Sequence, residues 1–429
     1  MSVPKSIKFL PLAMVVALVL AACTSTSASP SAGEPSESAE ASEPSFPTGD
    51  IVIELWTKEG DPNIDFVQQL ADDYSALHPN VTFNVVNKDV ELLREDMVNS
   101  ALAPETQPEL LWTVLDHVGP FYDAGVVQPL TGQFDESVLA DAAKGAGTYG
   151  PDNDVWVAPI SIGNQLMLYY NKTMVADAPA DTDAMIAAAV ANTAGDKYGL
   201  VYNQTEPFWL VPWLGGFGGS VFGSDGQTPT LDTPEMQSTL QFLYDLKFDS
   251  KVMPSECDYT CADDLFKTGS AGMIINGDWA LGDYTTALGD DLGVTAIPMV
   301  ASTGTYPAPY IGGTYWMVPS AVEGDTLTVV LDFIDFTLAA DQQQAQVEVL
   351  KRLPSNDEIL NSAVVTGDPN LADAADAVSK GVPQPVNLEM RCNWDAMKPQ
   401  MSAVLSGTAS VADAAAAMQA AADACVAAL

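Results

Sequence analysis

Residues 265–284, from Leu265 to Tyr284, read LFKTGSAGMIINGDWALGDY. The run opens on an apolar helix end, stops at Gly269, passes through a short strand from Ala271 to Ile275, and reaches Asn276-Gly277-Asp278-Trp279, where a new helix is expected to begin. This strand-to-helix turn sets a carboxylate beside a large aromatic face. A sugar ring calls for that combination, because its C–H face stacks on an aromatic ring while its hydroxyls need partners such as Asp and Asn. On the motif alone, core packing remains the alternative for Trp279.

Towards the N-terminus the same alternation recurs. Ile51 to Trp56 reads as a strand broken only by Glu54, and Val67, Leu70, Ala71, Tyr74 and Leu77 fall at helical spacing. His78-Pro79-Asn80 turns the chain into a strand from Val81 to Val86, Val90 to Leu102 reads as helix, and Leu110-Leu111-Trp112 as a third strand. This β-α-β-α-β order implies a parallel sheet with right-handed crossovers. Ligands of such sheets bind beyond the carboxyl ends of the strands, which places Lys58, Glu59, Trp112 and Asp116 where a ligand is met. A solvated ion pair is the alternative for Lys58 and Glu59.

Asp154 to Ile160 and Leu166 to Tyr170 read as strands separated by Ser161-Ile162-Gly163-Asn164-Gln165, a polar interruption that suits a crossing between domains. A second α/β unit follows, with a helix from Asp183 to Asn192 and a strand from Tyr198 to Tyr202. Thr205 is placed to cap, and Pro207 to open, a helix bearing Phe208, Trp209 and Trp213 beside Glu206. A helix from Pro234 to Phe248 leads to the opening motif, and Leu292 to Ile297 is the next strand. Thr303 to Gly313 looks like a second crossing, and Tyr315 to Val318 a returning strand. Helices are expected over Leu327–Leu338, Gln342–Leu350, Trp394–Leu405 and Val411–Leu429. Trp56, Trp156 and Trp316 lie within strands and read as core, whereas Trp209 and Trp213 are open between packing and cleft.

Composition narrows the function. The formal net charge is −41, from 57 acidic and 16 basic residues, which opposes binding to nucleic acid. Only His78 and His117 are available as histidines, so neither a zinc site built on several histidines nor a Ser-His-Asp hydrolase is favoured unless His117 serves it. No cofactor is implied.

At the N-terminus, Lys5 and Lys8 precede an apolar run from Phe9 to Ala22, too short for an ordinary membrane span and typical of a secretory signal. Leu20-Ala21-Ala22-Cys23 resembles a bacterial lipobox, which implies that Cys23 becomes the lipidated first residue of the mature chain. Residues from Thr24 to Gly49 are rich in Ser, Ala, Glu and Pro, and read as a flexible acidic tether. An exported chain with four further cysteines suggests two disulfides, of which Cys257 with Cys261 and Cys392 with Cys425 are the favoured pairs because each lies within one region.

Tyr170-Asn171-Lys172, Glu206-Pro207-Phe208, Phe266-Lys267-Thr268-Gly269 and Ile275-Asn276-Gly277-Asp278-Trp279, in this order after a lipobox, resemble the extracytoplasmic solute-binding proteins of ABC sugar importers of the maltose-binding type. The resemblance runs from about Ile51 to the C-terminus. It implies a two-lobe α/β fold of the type II periplasmic-binding kind, each lobe a mostly parallel sheet flanked by helices and joined by hinge crossings. The implied divisions are residues 1–22 signal, 23–49 tether, 50–161 first lobe, 162–310 second lobe, 311–357 return to the first and 358–429 return to the second with the C-terminal helices.

Carried over by position, Asp116 falls on the family's hydroxyl-binding aspartate, and Glu206 and Phe208 on its second-lobe glutamate and aromatic. Trp279 and Trp394 fall on its stacking tryptophans, and Lys58 and Glu59 on its charged pair. The chain departs from the pattern at Thr113, where a tryptophan is expected and Trp112 stands one place earlier, and at His117, where an arginine is common. Gly163-Asn164 replaces a glutamate and Lys398 an arginine, so the particular sugar does not carry over.

The expectation is non-catalytic capture of a carbohydrate, an oligosaccharide such as a malto-oligosaccharide, by a monomer. Lys58, Glu59, Trp112, Asp116, Asn164, Gln165, Glu206, Phe208, Trp209, Asp278, Trp279, Trp394 and Lys398 are the candidate contacts. The sugar passes to importer permease subunits served by their ATPase, and the lipid on Cys23 anchors the protein to the outer face of the cell membrane. An exported glycoside hydrolase working with two carboxylates is one alternative, and a carbohydrate-binding surface adhesin another.

Overall fold

The computed structural model describes residues 46–429, so the signal segment, Cys23 and almost all of the expected tether lie outside the described residues. The strands in chain order are β1 (Ile51–Thr57), β2 (Val81–Asn87), β3 (Leu110–Val114), β4 (Thr148–Tyr149), β5 (Asp154–Val155), β6 (Ala158–Gly163), β7 (Leu166–Asn171), β8 (Tyr198–Tyr202), β9 (Ala271–Gly277), β10 (Leu292–Thr295), β11 (Tyr310–Met317) and β12 (Val382–Pro383). They form two principal sheets. The first has the order β12-β11-β3-β1-β2 with β6 also paired to β11, and the second has the order β10-β7-β9-β8.

Parallel pairing runs through β2-β1-β3 and through β8-β9, as the β-α-β reading expects. The sheets are otherwise mixed: β11 is antiparallel to β3 and β6, and β7 to β9 and β10. In the second sheet antiparallel contacts therefore outnumber the parallel one. The reason lies in the crossings, since β7 and β11 each enter directly from the other sheet and not from a covering helix that would return the chain in the same sense.

Local chemistry explains the element boundaries. The helix Ile64–Leu77 buries Phe66, Val67, Leu70, Ala71 and Tyr74, while Leu77 at its end is 64% exposed and outside the core. Asp89 caps the helix Val90–Asn99 by accepting from the amides of Glu91 and Leu92, and the three residues to Leu102 continue only as a 3-10 turn. Asp181 and Thr233 cap the helices Thr182–Asn192 and Pro234–Phe248 in the same way. The expected strand Asp154–Ile160 is split, because β5 pairs only with β4 and β6 begins at Ala158. Pro159 has no amide to donate, and the register beside it slips between Thr314 and Tyr315. Thr205 does not cap: its hydroxyl and amide turn back to Asn203 Oδ1, and Pro207–Trp209 is a single 3-10 turn.

One apolar cluster, with Leu200, Tyr202, Trp213, Met236, Met397 and Met418, joins the second sheet to the helices Pro234–Phe248, Glu389–Leu405 and Val411–Val426. Trp316 and Phe333 anchor the cluster on the first sheet, and Trp56 and Trp156 pack on its other face. The sulfurs of Cys257 and Cys261 and those of Cys392 and Cys425 are at bonding distance, with Cα–Cα separations of 5.2 and 5.6 Å. Among the described residues, no helix is long and apolar enough to cross a membrane.

Candidate functional site

The crossing from the first sheet to the second is only Asn164-Gln165 long, between β6 and β7. Gly163 takes φ +118° and Asn164 φ +52°, a bend that an L side chain at 163 would resist. A Cβ on Gly163 would lie 2.5 Å from Asp278 Oδ2 and 2.7 Å from Gln165 Oε1, so the glycine lets a carboxylate sit against the backbone of the crossing. Asp278 Oδ2 accepts from the Asn164 amide at 3.1 Å.

Around this point four charged side chains are packed together. Glu59, two residues beyond β1, takes both terminal nitrogens of Arg352 at 2.7 and 2.8 Å, and also Lys58 Nζ at 2.7 Å and Trp112 Nε1 at 3.1 Å. Burial would raise the Glu59 carboxyl, but Arg352 and Lys58 outweigh it and hold the group well below the usual carboxylate range. Burial pulls Lys58 down, and its partner Glu59 offsets part of that shift. The Lys58–Glu59 pair is therefore part of a buried network and not a solvated surface pair. Burial pushes Asp278 up to about 6, against the opposing pull of Arg352. Arg352 Nε and Gln165 Oε1 are buried here without a hydrogen-bond partner among the described residues.

An aromatic row extends from Asp278. The strand β9 runs on to Gly277, later than the expected helix start, because the Asn276 side chain bonds Tyr284 and the Gly277 amide; Asp278–Ala280 is then one 3-10 turn. Gly277 carries no Cβ, and the Trp279 ring folds back into that space. Trp279 lies 6.2 Å from Phe208, Phe208 lies 6.3 Å from Trp394, and Trp394 lies 6.0 Å from Tyr310, centroid to centroid. Phe208, Trp279 and Trp394 are half-buried.

Carboxylates flank the row. Asp116, in the 3-10 turn after β3, accepts from Trp394 Nε1 at 3.3 Å and is pushed up to about 6 by burial and the nearby Glu91. Glu206 holds Lys398 at 2.5 Å on a largely exposed surface. Arg391, two turns before Lys398, reaches Glu91 at 2.6 Å while also gripping Asp395, so the helix Glu389–Leu405 links elements of both sheets. His117 is buried against Thr113 Oγ1 at 2.7 Å within its own turn, and burial pushes it down to about 3.

Of the residues expected at the site, Lys58, Glu59, Asn164 and Asp278 meet at the crossing, and Asp116, Glu206, Phe208, Trp279, Trp394 and Lys398 surround the aromatic row. Three of the residues expected as contacts are buried beneath the row. Trp112 is 0% exposed, edge-on to Trp316 at 5.0 Å, and serves as a buried donor to Glu59. Trp209 is buried with its Nε1 bonded to the Ile275 carbonyl at 2.9 Å, and Gln165 is buried with its amide on the Ala374 carbonyl at 3.2 Å. Each supports the site from beneath. Arg352, Tyr310 and Tyr259 were not expected. Nothing local to Arg352 marks it as buried, and Tyr310 lies in a glycine- and proline-rich run.

Among the described residues, no group of three or more His, Cys, Asp or Glu side chains could hold a metal ion. The arrangement is a row of aromatic rings with polar side chains beside it, suited to a ligand that is neutral, hydroxylated and partly apolar.

A family model described as bacterial extracellular solute-binding protein matches residues 69–373. The maltotriose-binding protein of Pyrococcus abyssi is 24% identical over 366 residues, covering 83% of this chain and 78% of that one. A maltooligosaccharide ABC transporter solute-binding lipoprotein of Streptococcus pneumoniae is 26% identical over 316 residues, covering 70% and 72%. The maltose/maltodextrin-binding domain of Bdellovibrio bacteriovorus bound to maltotriose superposes with a TM-score of 0.82 at 30% identity, covering 87% of this chain and 99% of that one.

Proposed function

The chain belongs to the bacterial extracellular solute-binding proteins, and we propose that it binds a malto-oligosaccharide of about three glucose units between its two sheet-based halves and hands it, chemically unchanged, to an ABC importer. The observation that carries this reading is the row Trp279, Phe208, Trp394 with Asp116, Glu206 and Asp278 at its edges. Glucose rings offer apolar faces to such a row, each aromatic contact contributing roughly 0.5 to 1.5 kcal/mol beyond area burial. Their hydroxyls donate to Asp116, Asp278 and Glu206 and accept from Lys58 and Lys398.

Trp279 stands on the second sheet, while Lys58 and Asp116 follow strands of the first. A ligand touching both sets binds a closed arrangement better than an open one, and so favours closure. The lobes we assign are residues 50–161 with 311–357 and residues 162–310 with 358–429, except that β12 within the last segment pairs with β11 at the edge of the first sheet. A lipid on Cys23, a tether that stops short of Phe46, which packs on His78 while Asn80 bonds the Pro47 and Gly49 carbonyls, and disulfides at Cys257–Cys261 and Cys392–Cys425 fit an exported monomer held at the outer face of the cell membrane. Titration calorimetry with maltose, maltotriose and maltotetraose, followed by chromatography of the recovered sugar, tests the proposal. One-to-one binding with intact sugar supports it; no heat with any of the three, or shortened sugar, overturns it.

A further inference from the structure

A stacking tryptophan is useful only if its ring plane is fixed before the sugar arrives, and Trp279 has one polar tether in the structure: Nε1 donates to Tyr259 Oη at 3.1 Å. Tyr259 opens the helix Tyr259–Lys267, which is capped by Asp258 accepting from the Cys261 amide at 2.9 Å. The link between Cys257 and Cys261 closes Asp258, Tyr259 and Thr260 into a small ring, so Tyr259 sits inside the loop that the cysteines tie. That ring is itself fixed, since the buried Cys257 offers its carbonyl to the Gln204 amide at 2.9 Å, just past β8. Trp209, pinned to the Ile275 carbonyl, lies 6.3 Å from Tyr259 and 6.2 Å from Trp279, edge-on to both. Tyr259, Trp209 and Trp279 therefore brace one another, and only Trp279 of the three lies in the row that faces the ligand.

We propose that Tyr259 is the positioning residue for the ligand-stacking indole of Trp279, and that the Cys257–Cys261 link serves ligand binding by holding Tyr259 in place. This rests on the assignment of Trp279 as a ligand contact made above. Tyr259→Phe removes only the hydroxyl, and the loss of one hydrogen bond to a group that must be held in place is expected to weaken maltotriose binding about two- to tenfold. Cys257→Ser/Cys261→Ser should act in the same direction. A purely structural role would lower thermal stability and affinity together, so three readouts separate the cases. The Trp279 emission, taken as the difference between wild type and Trp279→Phe, should move to the red and become more accessible to acrylamide in ligand-free Tyr259→Phe, with the melting temperature unchanged. In a Trp279→Phe background, Tyr259→Phe should cost no further affinity. Unaltered Trp279 emission in Tyr259→Phe, or an equal loss of affinity whether or not Trp279 is present, would overturn the proposal. Should the wild type bind no malto-oligosaccharide, the sugar assignment fails, while the emission experiment on the ligand-free protein still decides whether Tyr259 positions Trp279.

Discussion

Replacing Arg352 with Met removes the bidentate partner of Glu59 while nearly conserving volume. Both groups are buried, Arg352 at 2% and Glu59 at 4% exposed, and the lost hydrogen bonds are 2.7 and 2.8 Å long. Breaking a buried pair by deleting one partner costs about 3–5 kcal/mol, because the remaining charge stays desolvated without its counter-ion. Glu59 keeps Lys58 at 2.7 Å and Trp112 Nε1 at 3.1 Å, which places the expected loss near the lower end, about 3 kcal/mol. The double variant Arg352→Met/Glu59→Gln also takes from Lys58 its counter-ion, but because Arg352 and Glu59 are direct partners the two changes should be non-additive by more than about 1 kcal/mol. Urea unfolding followed both by tryptophan emission and by far-ultraviolet circular dichroism measures this, coincidence of the two curves justifying a single free energy. The sign with pH is fixed as well. The depressed carboxyl of Glu59 contributes in full above the ordinary carboxylate value, and its contribution drains away as pH falls toward its folded-state value. A loss below about 1 kcal/mol in Arg352→Met, or strict additivity with Glu59→Gln, would refute the assignment of Arg352 as the group that holds Glu59.

Trp279→Ala should weaken maltotriose binding tenfold or more, on the order of 1.4 kcal/mol by calorimetry, in a protein whose circular dichroism is unchanged. Gly163→Ala meets both an unfavourable φ of +118° and the Asp278 carboxylate at 2.5 Å; it should destabilise the fold by more than about 1 kcal/mol in urea and weaken binding. Asp278 is raised to about 6 by burial, so the folded state holds its proton more tightly than the unfolded chain, and this group makes stability fall as pH rises from the ordinary carboxylate range through about 6. Asp278→Asn should remove that component, and the difference between variant and wild-type stability, measured from pH 4 to 8, should change across this window and level off above it.

The strand and helix order was legible because the apolar runs are long and the caps conventional: Asp89, Asp181 and Thr233 each stand where a helix begins. The position of Asp278 and Trp279 at a strand-to-helix joint was legible for the same reason. The facing of individual side chains was not legible. In β3, Trp112 and Thr113 point to opposite faces, and with both faces covered the sequence offers no alternation to tell them apart. Phe208 and Trp209 share a single 3-10 turn, too short for periodicity to say which ring faces outward. Arg352 and Glu59 are 293 residues apart, and only the crossings that fold residues 351–356 back against β6 bring them together. Pairings of that range are set by topology, and nothing local to either residue announces them.

The most direct measurement is a crystal structure of the chain with maltotriose. One glucose ring should stack on Trp279 and another lie against Trp394, with hydroxyls on Asp116 and beside Lys58 and Asp278 at the crossing. Sugar bound with full affinity anywhere else, leaving the row from Trp279 to Trp394 uncovered, would contradict the capture mechanism described here.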